Sequence, residues 1–104
     1  MTSPVKTAQA KLVVVIGPFE FADHLPADFK KLGVHGFSMM RVDGVGAHGP
    51  RKYGVFDGAN IRFDIVGTAE LAQHILHHIV TSFDGRGIVA YAHDVEAVPF
   101  DHFQ

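Results

Sequence analysis

The sequence predicts an α+β domain in which two helices cover one face of a four-stranded antiparallel sheet. Three observations carry that prediction. Four short stretches have the apolar, β-branched content of strands. Two others repeat their apolar residues at the helical period, and glycine or proline punctuates the joints between them. A chain of 104 residues bounds a single domain with one modest core.

Residues 1–10 are small and polar and read as a disordered tail, which leaves 11–104 as the folded domain. Leu12-Val13-Val14-Val15-Ile16 is a continuous run that stops at Gly17-Pro18, the pattern of a buried central strand. From about Ala22 to Leu32, the residues Leu25, Phe29 and Leu32 share one helical face. Asp23 is its candidate cap, Pro26 suits a first turn, and Gly33 suits the position just past the end. A second strand spans about His35 to Val42. The loop from Asp43 to about Ala59 holds five glycines and one proline, and a loop of that length in a small domain is usually functional.

Ile61, Phe63 and Ile65 alternate with Arg62, Asp64 and Val66, a third strand with one face partly exposed. Thr68 then caps a second helix, with Glu70 in its first turn. Leu71, Ala72, Ile75, Leu76, Ile79 and Phe83 form its buried stripe, and Gln73, His74, His77, His78 and Thr81 its polar face. Asp84-Gly85-Arg86-Gly87 ends the helix in a sharp turn. Ile88 to Ala92 is a fourth strand, and the short remainder ends in Phe100 and Phe103. The order β-α-β-loop-β-α-β is the ferredoxin-like split βαβ arrangement, βαββαβ in shorthand. Its uncovered sheet face needs a partner, and a ring of identical subunits would supply one and place clefts between neighbours.

Composition narrows the function classes. Net charge is −2 with no cluster of Lys and Arg, so the footprint of a nucleic-acid binder is missing. No apolar run approaches the ~18 residues of a membrane span, and the N-terminus lacks the hydrophobic core of a secretory signal. Without cysteine there is no disulfide, thiolate nucleophile or Cys-ligated zinc. A cytoplasmic protein is the expectation. The eight histidines are either solvated surface residues or a source of pH sensitivity between about 5 and 8.

The segment Gly33 to Gly49 places a strand between two glycine clusters and empties into a polar loop. Backbone N–H groups in such a turn can cradle an anion. The spacing is not that of a P-loop or a dinucleotide-binding turn, because no helix follows and no Gly-Lys-Ser/Thr is present. A second glycine-rich turn, Asp84 to Gly87, carries Arg86. Between adjacent subunits it would meet Gly44-Val45-Gly46, with Arg86 offering a fork of donors to a phosphate or carboxylate. The alternative is two ordinary turns with Arg86 solvated. Arg41 and Arg62 flank the long loop and, with Arg51-Lys52-Tyr53, either share a cleft or are solvated charge. His74-x-x-His77-His78 has metal-pair spacing but no obvious third ligand, and it coincides with the polar face of the helix, so no metal is assigned. Ser38 and Ser82 show no His/Asp relay, and Asp57, Asp64 and Asp84 are scattered, so no catalytic residue is assigned.

Val14-Val15-Ile16-Gly17-Pro18-Phe19, Gly33-Val34-His35-Gly36-Phe37-Ser38 and Asp43-Gly44-Val45-Gly46 together resemble the PII signal-transduction proteins. Those carry a strand ending in Lys-Pro-Phe-Lys, then Gly-x-x-Gly-Met-Thr, then Gly-Phe-Gly at the base of their T-loop. Arg62 to Val66 resembles the strand after that loop, and Asp84-Gly85-Arg86 the Asp-Gly-Lys of the B-loop. The likeness covers about residues 12 to 98. It implies a homotrimer with nucleotides in three lateral clefts and a T-loop, here about 43–59, that engages a protein partner. Ser38 stands at the threonine that contacts adenine, next to Gly36 and Phe37, and Val66 at the strand backbone beside it. Gly44, Val45 and Gly46 stand at the T-loop base near the phosphates. Asp84, Gly85, Arg86 and Gly87 stand at the B-loop, with Arg86 in place of a phosphate-binding lysine.

The departures from that family shape the expected ligand. His48 stands near the family's glutamine for 2-oxoglutarate, the loop is short, and the flanks of Tyr53 do not match a uridylylation motif. No arginine pair follows Asp94 to grip ATP phosphates. The resemblance therefore implies ADP or AMP ahead of ATP. Its nearest branches are the carboxysome-associated PII-like proteins and the regulators of bicarbonate transporters, whose frequent Cys-bearing C-terminal loop this chain lacks. That implies a non-enzymatic sensor of adenine nucleotide and bicarbonate in inorganic carbon uptake or fixation, with the anion at Arg41, Gly44, Gly46 or Arg86. Its partner would be a transporter or a carbon-fixation component. Two readings from other classes share the fold: a trimeric metal-binding protein of the cation-tolerance class, and a small isomerase or monooxygenase.

Overall fold

The computed structural model describes residues 4–43, 45–46, 49–50 and 59–103. Strand β1 (Ala8–Pro18) leads through a 3₁₀ turn (Phe19–Phe21) to helix α1 (His24–Leu32) and the strand β2 (Ser38–Asp43). The two-residue strands β3 (Val45–Gly46) and β4 (Gly49–Pro50) pair with each other. Strand β5 (Ala59–Gly67), helix α2 (Ala69–Ser82) and strand β6 (Val89–Ala97) follow, then a second 3₁₀ turn (Phe100–Phe103). The main sheet runs β2-β5-β1-β6, with every pairing antiparallel. It is the ferredoxin-like α+β arrangement that the order of elements predicts.

Pleating sorts the strand residues onto two faces. Val13, Val15, Ile61, Phe63 and Ile65 join Leu25 and Phe29 of α1 and Ala72, Ile75 and Ile79 of α2 in one core. Phe29 and Phe63 meet edge to face at 5.2 Å between centroids. The opposite face carries Leu12, Val14 and Ile16 of β1, in register with Val66, Asp64 and Arg62 of β5 and with His93, Tyr91 and Val89 of β6. Among the described residues no helix packs on that side, and Val89, Tyr91, Met40 and Val66 are exposed there.

Two elements run longer than the sequence predicts. The strand β1 begins at Ala8, inside the expected tail, and Ala8 and Ala10 are buried because they pair with Ala97 and Val95. β6 continues to Ala97 rather than stopping at Ala92. Asp94 and Glu96 interrupt the apolar pattern, yet charges on an edge strand are compatible with pairing and protect it from further association. The expected second strand starts later, at Ser38, and the expected loop 43–59 opens with the short β3–β4 ribbon.

Helix ends explain the boundaries. Thr68 Oγ1 accepts the Leu71 N–H at 3.1 Å at the start of α2, a cap of about 1 kcal/mol. Asp23 occupies the cap position of α1 but makes no capping hydrogen bond, because its own backbone is already helical. Gly33 ends α1 at φ 98°, where the Val34 N–H reaches Phe29 O at 3.0 Å and the Gly33 N–H reaches Lys30 O at 3.2 Å. Only a residue without Cβ takes that conformation freely.

Candidate functional site

β2 is an edge strand, paired only with β5 among the described strands of its sheet. At its N-terminal end the chain arrives from α1 through Gly33 to Phe37, and β5 delivers Asp64 to Gly67 beside it. A cleft of about 690 Å³ opens there. Its walls include Gly36, Phe37, Ser38 and Val66, four residues expected from the sequence at a nucleotide site. Phe37 is 40% exposed, yet its ring is pinned edge to face on Phe29 at 5.9 Å and on Phe63 at 5.6 Å. It offers the cleft a fixed aromatic surface. Such a cleft, mixed in polarity and walled by rings and a few hydroxyl, imidazole and carboxylate groups, suits a small flat ligand.

Ser38 is in register with Asp64 across the β2–β5 ladder. Arg62 Nε donates to Asp64 Oδ1 at 2.7 Å, and Arg62 Nη2 to Oδ2 at 3.4 Å. The hydrogen bond to Asp64, with the charge of Asp64, raises the pKa of the Arg62 guanidinium against the opposing effect of burial. The pair places a neutralised carboxylate beside Ser38.

The remaining expected residues do not line this cleft. β2 and β1 run the same way and β5 and β6 the opposite way, so the end of β2 and the start of β6 lie at the same end of the sheet. Val45 and Gly46 follow β2, and Asp84 to Gly87 precede β6. The two turns therefore sit at one end but on opposite edges, and those edges lie three strand spacings, or about 14 Å, apart across the sheet. Gly85 has φ 75° and Gly87 φ 78°. The Arg86 N–H donates to Phe83 O at 3.0 Å, which leaves the exposed Arg86 side chain outside the turn's own backbone bonding. Gly44, His48, Arg51, Lys52, Tyr53 and Asp57 lie outside the described residues.

Arg41 and Arg62 do not share a cleft. Arg41 is in register with Ile61 and lies on the helix side of the sheet, with its guanidinium 4.8 Å from the Phe19 ring centroid. Arg62, one position along β5, points to the opposite face. A period of two on neighbouring paired strands enforces that separation.

The histidines of α2 divide among three environments. His74 lines the cleft and His77 is exposed. His78 Nε2 lies 2.8 Å from Asp28 Oδ2 of α1, and its Nδ1 lies 3.3 Å from Ser82 Oγ. His24 Nε2 approaches the same Asp28 oxygen at 3.6 Å. Ser82 thus does have a His/Asp relay, contrary to the sequence reading, because Asp28 arrives from the other helix. Ser82 is exposed on the last turn of α2 and does not line the cleft, while the array joins α1 to α2. Among the described residues, no group of three or more His, Asp or Glu could hold a metal ion.

Among the cleft residues that sequence reasoning missed are His35, Glu70, His74, His102 and Phe103. Glu70 and His74 are one helical turn apart at the start of α2, directly after the strand that carries Val66. That adjacency was the available signal. Nothing local marks the return of residues 102 and 103.

A model of the family described as nitrogen regulatory protein P-II matches residues 10–100. None of the curated proteins matches the sequence. Among solved structures, a PII-like signalling protein from Thermus thermophilus is 24% identical, covers 96% of this chain and 100% of that one, and superposes with a TM-score of 0.80. CPII from Thiomonas intermedia, bound to ADP and bicarbonate, is 21% identical over 90% of this chain and 93% of that one, with a TM-score of 0.78. The GlnK–ATP complex of B. subtilis is 12% identical over 88% of this chain and 85% of that one, with a TM-score of 0.58. At these identities the structural likeness establishes the fold.

Proposed function

The chain belongs to the nitrogen regulatory protein P-II family, and on that premise we propose that it is a regulatory protein, not an enzyme, that senses adenine nucleotide and bicarbonate. The protein is a homotrimer. ADP or AMP binds in clefts between subunits, with the base at Gly36, Phe37, Ser38 and Val66 of one subunit. Its phosphates reach Gly44, Val45 and Gly46 and the Asp84–Gly87 turn of the next. Arg41, Gly44, Gly46 and Arg86 are the candidates to hold bicarbonate. The bound state sets the conformation of the 43–59 loop, which docks on a transporter or carbon-fixation component in the cytoplasm. No helix among the described residues is long and apolar enough to cross a membrane.

The observation that carries this reading is the division of the expected residues. One group gathers at a cleft on one edge of the sheet, while Arg86 and its turn sit at the other edge. Only a second copy brings a β6-side turn to a β2-side edge, and the exposed apolar residues of the uncovered face support association. CPII, which has the same fold, is bound to ADP, AMP and bicarbonate in one of its structures. The chain's lack of arginine beyond Arg86 favours a ligand with fewer phosphates than ATP.

Calorimetric titration with AMP, ADP, ATP and cyclic AMP, each with and without bicarbonate, tests the reading. ADP and AMP bind, and bicarbonate and nucleotide each raise the affinity of the other by the same factor. Silence from every nucleotide overturns the proposal. An unchanged nucleotide affinity in bicarbonate removes the anion from it.

A further inference from the structure

The cleft has one wall that lies outside the βαββαβ frame. The 3₁₀ turn Phe100–Phe103 returns from the end of β6 and brings His102 and Phe103 to the space beside Phe37, Ser38 and Val66. Two interactions among the described residues hold the turn, besides its packing on β1. The His102 N–H donates to Pro99 O at 3.1 Å, and the Lys6 ammonium sits 3.9 Å from the centroid of the Phe100 ring. The His102 and Phe103 rings then meet edge to face at 4.8 Å, which makes an aromatic corner. Every arginine of the chain lies at or before Arg86, so this segment brings no guanidinium to the cleft. It brings rings, and the cleft already presents the fixed ring of Phe37. A flat π-system is the ligand fragment that aromatic walls favour.

We infer that the C-terminal turn is the cover of the base end of the site, with Phe103 the residue that contacts the purine ring and the Lys6–Phe100 contact the tether that holds it in place. The tail then contributes to recognition of the base and is indifferent to the number of phosphates. This rests on the nucleotide reading given above, and it assigns to residues 100–103 a role that reading does not contain.

The test uses the full chain, which contains no tryptophan, so Phe103→Trp introduces a fluorophore at one known place. Wild-type protein is first titrated with AMP and ADP by calorimetry. If neither binds, the reading of the cleft itself fails, and this inference falls with it. If they bind, titrating Phe103→Trp with AMP changes its emission along a curve that saturates in step with calorimetric binding to the same variant. Phe103→Ala weakens AMP and ADP by the same factor, about 5- to 150-fold, the range of base–aromatic stacking. Lys6→Ala weakens both ligands less, because it loosens the tether without removing the ring. Three results would each overturn the inference alone while the nucleotide reading stands: unchanged affinities in Phe103→Ala, a loss that differs between AMP and ADP, or steady tryptophan emission while calorimetry records binding. A far-ultraviolet circular dichroism spectrum and a Tm matching wild type exclude misfolding as the cause of any loss.

Discussion

Replacing Gly85 with alanine isolates the strain that the Asp84–Gly87 turn requires. Gly85 has φ 75°, and a Cβ built there meets nothing within 4 Å. The substitution therefore creates no clash, and its whole effect is the backbone cost of placing an L residue in the left-handed region. That cost is about 1–2 kcal/mol. In a domain of this size, 1 kcal/mol moves Tm by about 4–8 °C, so Gly85→Ala is expected to melt roughly 4–15 °C below wild type. Gly85→Asn recovers a good part of the loss, since asparagine tolerates this conformation better. Gly36→Ala is the control for glycine replacement as such. It also has open space at Cβ but no positive φ, and it stays near wild type in stability. Thermal melts followed by circular dichroism, at one protein concentration so that subunit association is constant, give all four values. A Gly85→Ala protein as stable as wild type, or an asparagine variant no better than the alanine one, would refute the reasoning.

Arg86→Ala leaves Tm nearly unchanged, because the turn is closed by the Arg86 backbone N–H rather than its side chain. The same change weakens ADP by about 10- to 100-fold, the scale of lost charge-assisted hydrogen bonds, and an unaltered affinity in calorimetry would remove the phosphate role of Arg86. His78→Ala breaks the clamp between α1 and α2, where His78 and Asp28 are both half-buried or better. It lowers unfolding free energy by about 1–2 kcal/mol in urea denaturation, whereas Ser82→Ala, at the exposed end of the array, changes little. Asp94 accepts a hydrogen bond from Lys11 at 2.6 Å, which, with the lysine's charge, holds its carboxyl below the ordinary aspartate range. A lowered folded pKa contributes stability above the unfolded value and loses it as pH falls through the folded one. Asp94→Asn is thus slightly less stable than wild type at neutral pH. The gap closes in acid, and melts taken from pH 7 to pH 2 that show a constant gap would contradict this.

The helices were legible because their information is local. Leu25 and Phe29 on one face, Gly33 past the end, and Thr68 before Ala69 specify boundaries that the backbone obeys. The extents of β1 and β6 were not, since Ala8 and Ala10 have no strand propensity of their own and are strand only because Ala97 and Val95 lie opposite. The opposition of Arg41 and Arg62 follows from register, which no single strand contains. The cleft was legible where it rests on β2 and β5 and hidden where α2 and the C-terminal turn close it. Ser82, His78 and Asp28 illustrate the same limit: the i, i+4 pair is visible on one helix, but its carboxylate comes from fifty residues away in the chain.

Mixed trimers test most directly whether the site is shared between subunits. Gly36→Trp fills the base end of the cleft, where Gly36 has room for a side chain, and Arg86→Ala removes the phosphate donor. Each variant alone binds ADP poorly. Co-refolded in equal amounts and titrated at ADP concentrations that fill only wild-type sites, the two variants recover binding at about a quarter of the sites, the share in which an intact cleft faces an intact turn. Recovery at that level is the predicted result. No recovery from the mixture, with both parent proteins folded and trimeric, would contradict a site divided between neighbouring copies of the chain.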